Sequence, residues 1–83
     1  MPSVTDVIFA EFGIEIVKRD GALFIRYDAG HLAVQMREDE ISETEAKQAM
    51  RGEKDAHQVL LAIERKLTES GVDPQLSNIG PHE

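Results

Sequence analysis

The dipeptide Asp20-Gly21 lies between two runs of alternating character, Ile14 to Arg19 and Ala22 to Asp28. Asp-Gly in that setting is among the strongest short-range hairpin signals, because both residues tolerate the positive φ that a two-residue turn demands. Such a turn also fixes the register, so that paired residue numbers sum to 41. Ile14 then faces Tyr27, Ile16 faces Ile25 and Lys18 faces Leu23 on one side of the ribbon; Glu15–Arg26 and Val17–Phe24 occupy the other. The first side is the more apolar and is expected to lie against helices.

The rest of the chain is arranged around this hairpin. Upstream, Ser3 can cap a short helix with Asp6 three residues later, and Val4, Val7, Ile8 and Phe12 share one helical face that Gly13 can end, while the β-branched pair Val7-Ile8 leaves a strand open as the alternative. Downstream, Asp28-Ala29-Gly30 reads as a second turn, and His31 to Arg37 alternates again, with Leu32, Val34 and Met36 on one side. Three strands on short turns make an antiparallel meander. The alternation ends at Glu38.

Ser42-Glu43-Thr44-Glu45 then matches the capping box that opens a helix, with Ile41 and Ala46 placed as a small hydrophobic staple. That helix presents Ala46, Ala49 and Met50 and can end at Arg51-Gly52; a Gly52 that stays helical would instead make one long helix, and two are expected. A second helix runs from about Glu53 to Ser70. Ala56, Val59, Leu60, Ile63 and Leu67 form its apolar stripe, Leu61 lies off the stripe, and Gly71 stops it. Val72-Asp73-Pro74 can open one further turn, with Leu76 and Ile79 as anchors. The expected fold is α+β: a short N-terminal helix, a three-stranded antiparallel β-meander and two C-terminal helices packed on one sheet face. It forms one domain over 1–83, with an ordered core of about 3–71 and a partly mobile tail at 72–83.

Little in this chain points to catalysis. It has no cysteine, which removes disulfides, thiolate metal sites and thiol nucleophiles. The three histidines, His31, His57 and His82, are scattered, and Glu53 with His57 offers only two ligand types one helical turn apart. The acidic run lacks the alternate-position oxygens and central glycine of a calcium loop. No serine elbow and no glycine-rich phosphate loop is present. With 83 residues there is also little room for a deep cleft that would shift carboxylate pKa values. The chain therefore reads as non-enzymatic, with no cofactor and no metal.

Charge narrows the partners. A net charge of −7 opposes the clustered phosphate contacts of a nucleic-acid binder and favours a basic protein. No apolar run approaches the length of a membrane span, and the N-terminus lacks a signal peptide's basic region, so a cytoplasmic protein is expected. The densest acidity lies between Glu38 and Glu45, where Glu38, Asp39, Glu40, Glu43 and Glu45 supply five carboxylates in eight residues. With Asp28 these are the candidate partner-binding residues. The same charges also have structural explanations, as a helix cap favoured by the helix dipole and as guards of an edge strand.

The segments Phe24-Ile25-Arg26-Tyr27-Asp28-Ala29-Gly30, Ile41-Ser42-Glu43-Thr44-Glu45-Ala46 and Asp55-Ala56, within residues 14–67, resemble a pattern in small acidic bacterial proteins of toxin–immunity loci. That resemblance implies an immunity or inhibitor protein that blocks a basic, nuclease-type toxin by complementarity of charge and shape. The alternative is a self-associating, homodimeric structural or regulatory protein.

Overall fold

The computed structural model describes residues 5–30, 34–76 and 78. The elements are β1 (Thr5–Glu11), β2 (Ile14–Arg19), β3 (Ala22–Asp28), β4 (Met36–Ile41), α1 (Glu43–Ala49) and α2 (Glu53–Glu69). The four strands form one antiparallel sheet in the order β1-β2-β3-β4. The fold is α+β, but it is four strands followed by two helices. The expected N-terminal helix and three-stranded sheet are both corrected.

The first correction concerns residues 5–13. Phe12 and Gly13 have φ of 59° and 76°, the same left-handed pair that Asp20 and Gly21 adopt at 54° and 82°. Both dipeptides therefore make two-residue hairpin turns of the type whose twist suits antiparallel strands. The first turn pairs Glu11 with Ile14 and folds Thr5–Glu11 back along β2. A bulge leaves Ile8 without a partner between the Val7–Val17 and Phe9–Ile16 pairs. That extra residue breaks the period-two pattern and gives the apolar positions a helix-like spacing. The expected cap residue Ser3 and Val4 lie outside the described residues.

The second correction concerns the strand expected at His31–Arg37. His31 and Leu32 lie outside the described residues, and Val34 and Gln35 have no regular structure. The strand starts at Met36 and runs through the acidic residues to Ile41, pairing Leu23 with Ile41, Ile25 with Asp39 and Tyr27 with Arg37. Val34, expected on the buried side, is 70% exposed.

The β2–β3 register is the one set by the Asp20-Gly21 turn, from Ile14–Tyr27 to Arg19–Ala22. Its apolar side carries both helices. Ile14, Ile16, Ile25, Tyr27 and Ile41 of the sheet pack with Ala46 and Ala49 of α1 and with Ala56, Val59 and Ile63 of α2. Small residues on α1 let the helix sit close to the sheet, and Leu60 and Leu67 fill the margins. Leu61 is 41% exposed, as its place off the stripe requires. Among the described residues, no helix is long and apolar enough to cross a membrane.

Candidate functional site

Placing Glu38, Asp39 and Glu40 on β4 separates them. Period two sends Glu38 and Glu40 to the sheet face away from the helices and Asp39 to the helix side. Their surroundings differ accordingly.

Glu38 joins three strands. It stands opposite Arg26, whose Nε donates to its Oε1 at 2.9 Å, and Arg19 reaches across β3 to donate from Nη2 to Oε2 at 2.5 Å. On the way the Arg19 guanidinium lies 4.4 Å above the Phe24 ring. Beneath this layer, Val17 stands between Val7 and Phe24 in register and is fully buried. Arg19 thus covers the Phe24 end of a small apolar patch on the open face, while Val7 at its other end is exposed. The hydrogen bond from Arg19, aided by Arg26, holds the Glu38 carboxyl below the usual glutamate range against the opposing effect of burial.

Asp39 is engaged on the helix side. Arg37, two residues along the same strand, is buried and grips it with a fork, Nε to Oδ2 at 3.1 Å and Nη2 to Oδ1 at 2.9 Å. The Tyr27 hydroxyl donates to Oδ2 at 2.7 Å, and Arg37 Nη1 donates to the Leu76 carbonyl at 2.7 Å. Burial, then the bond to Asp39, raises the Tyr27 pKa, so the phenol keeps its proton and remains a donor. Among the described residues, no buried side-chain polar atom is left unsatisfied.

The C-terminal segment completes this arrangement. Asn78 places its amide against Glu38, accepting from the backbone N–H at 2.8 Å and donating to the carbonyl at 2.6 Å. One side chain thereby occupies outward-facing main-chain groups of β4, much as another strand would. Leu76 takes part through its carbonyl, while its side chain is 57% exposed. Asp73 turns the chain here by accepting from the Gln75 amide at 2.9 Å. Ile79 and residues 80–83, including His82, lie outside the described residues.

Two of the other expected contact residues, Glu45 and Asp28, have structural partners as well. Ser42 and Glu45 form the capping box, with the Glu45 amide donating to Ser42 Oγ at 3.1 Å and the Ser42 amide to Glu45 Oε1 at 2.8 Å. Asp28 accepts from the Gly30 and Gln35 amides at 3.0 and 2.9 Å, closing the loop before β4. The Gln35 amide, then that of Gly30, lowers the Asp28 pKa. Glu40 and Glu43 are exposed, and Glu43 sits in the first turn of α1. Among the described residues, no group of three or more potential metal ligands is brought together, and His57 is exposed on α2.

The sequence reading passed over β1 as a surface. Its bulge brings Asp6, Phe9 and Glu11 to one face, the positions opposite Lys18, Ile16 and Ile14. Val7 and Ile8 are 54% and 47% exposed, and Phe12, whose ring is 5.7 Å from that of Phe9, is 40% exposed. A depression of about 330 Å³ next to Ile8 is lined by Leu23, Ala46 and Met50, with Lys18, Lys47 and Glu43 at its polar margins. The signal for this strand was the β-branched and aromatic run Val7-Ile8-Phe9, followed by a Gly at the second turn position.

The sequence matches no protein-family model, and neither a characterised protein nor a solved structure matches it.

Proposed function

We infer that this protein is a non-enzymatic binding module of the inhibitor or immunity kind, acting in the cytoplasm on a basic protein partner. The observation that carries this reading is the distribution of its unpaired charge. From Thr5 to Ile41 the chain has eight carboxylates against four basic side chains. Three of those four, Arg19, Arg26 and Arg37, are held by Glu38 and Asp39. Asp6, Glu11 and Glu40 stand exposed on the same sheet. The helices are nearly balanced, with six acids and five bases from Glu43 to Glu69. The outward field of the sheet is therefore negative and steers encounter with a positive surface.

Glu38 and Asp39 support this function indirectly, by holding the sheet together. Glu40 and Glu43 are the members of the acidic run free to meet a partner. The test is affinity capture at low salt followed by a salt gradient. The reading expects basic proteins that elute as salt rises, because screened surface charge weakens. Capture of acidic proteins, or elution independent of salt, would contradict it.

A second reading, self-association, is favoured by the exposed Val7, Ile8 and Phe12. It must overcome the repulsion between two copies of charge −7 that bring Asp6 and Glu11 together at both ends of a shared strand pair.

A further inference from the structure

The two edges of the sheet are finished differently. At β4, the Asn78 amide occupies the N–H and C=O of Glu38. At β1, the described residues place nothing over the outward-facing main chain. The Phe12-Gly13 turn makes Glu11–Ile14 the hydrogen-bonded pair next to the turn. Alternation along an antiparallel ladder then directs the N–H and C=O of Ala10 away from β2. An open edge of this kind accepts an additional strand.

The side chains on that edge specify what would bind. β1 reads Thr5-Asp6-Val7-Ile8-Phe9-Ala10-Glu11, an apolar centre between two acids with no basic residue. The bulge puts both acids on the helix side, flanking Phe9, so both can meet one face of an incoming strand. The apolar-lined depression beside Ile8 can receive a side chain from the same segment. A second β1 would set acid near acid, whereas an extended segment with basic residues on either side of an apolar one complements all three positions.

We propose that the β1 edge is a strand-addition site for an extended, basic segment of a partner protein. This rests on the acidic-binding reading above and gives that reading a surface. Main-chain hydrogen bonds from Ala10 supply affinity whatever the sequence of the segment. Asp6, Phe9 and Glu11 select a basic–apolar–basic pattern.

The test uses the full chain and a synthetic lysine–valine peptide of the pattern Lys-Thr-Val-Thr-Lys, whose two lysines and valine share one face of an extended strand, followed by fluorescence anisotropy at low and high salt. Ala10→Pro removes the outward N–H at a position where an edge strand tolerates proline, and it leaves the charge unchanged. It should weaken binding about tenfold or more, since that donor and the close approach of the new strand are both lost. Asp6→Asn/Glu11→Gln should weaken binding and flatten its salt dependence, while Glu64→Gln/Glu69→Gln, with the same change of charge at exposed positions on α2, should do so much less. Circular dichroism melts of each variant identify any loss that comes from unfolding, and the Asp6/Glu11 variant still reports if the proline variant does not fold. Peptide binding that is salt-sensitive but unchanged by Ala10→Pro and by Asp6→Asn/Glu11→Gln would overturn the edge site while preserving the acidic reading. Absence of any salt-sensitive binding would overturn both. A wild-type dimer that Ala10→Pro converts to monomer would assign the edge to a second copy instead.

Discussion

Replacing Asp39 with valine should be among the most damaging single changes on the sheet. Valine removes the carboxylate and places a β-former at the position. The Arg37 side chain is 4% exposed, so its guanidinium cannot turn to water without carrying the end of β4 with it. The substitution leaves that cation without its counter-charge and the Tyr27 hydroxyl without its acceptor. Orphaning one member of a buried ion pair typically costs 3–5 kcal/mol, and the 16% exposure of Asp39 places this case near the lower end, about 3 kcal/mol. An 83-residue domain has a total stability on the order of 4–12 kcal/mol, so the change consumes a large share. For a domain of this size it corresponds to a fall in Tm of roughly 12–24 °C. Urea unfolding followed by circular dichroism measures it. The triple variant Arg37→Met/Tyr27→Phe/Asp39→Val removes the stranded partners as well and should recover more than half of the loss. A single-variant cost below about 1 kcal/mol, or a triple variant worse than the single, would refute the reasoning.

Three further outcomes follow from the same structure. Glu38 titrates below its ordinary value in the folded state, so its contribution is present above the unfolded glutamate pKa of about 4.3 and is lost as pH falls through the lower folded value. The urea midpoint of the wild type should therefore fall on acidification below about pH 5, and Glu38→Gln should make that fall shallower. Gly21→Ala should cost about 1 kcal/mol by thermal melt, all of it from the positive φ of 82°, because an added Cβ meets nothing within 4 Å. Ser42→Ala should cost about 1 kcal/mol by removing the side chain that accepts from the Glu45 amide.

What the sequence disclosed, and what it hid, follow from where its local signals agree with the tertiary structure. Asp20-Gly21 is a turn whose residues suit their backbone, so the β2–β3 register could be written down pair by pair. Ser42-x-x-Glu45 and Gly52 likewise mark a helix start and a helix break that need no distant partner. Phe12-Gly13 makes the same kind of turn, but it puts an aromatic residue at positive φ, where Asn, Asp or Gly is usual. The Ile8 bulge then gave β1 an apolar spacing close to that of a helix. β4 was hidden for a different reason. Its helix-side positions are Arg37, Asp39 and Ile41, and the first two belong there because they satisfy each other and Tyr27. A polar pair that is paid for only by its partners has no apolar periodicity to reveal it. The candidate site moved for the same reason, since Glu38 and Asp39 read as free charge until the strand placed their arginines.

The asymmetry of the two sheet edges can be measured directly by amide hydrogen exchange, read by NMR with and without the lysine–valine peptide. The account predicts that the Ala10 amide exchanges readily in the free protein and becomes protected when peptide is added, while the Glu38 amide, already held by Asn78, changes little. An Ala10 amide that is protected without peptide, or that still exchanges freely when peptide is bound, would contradict it.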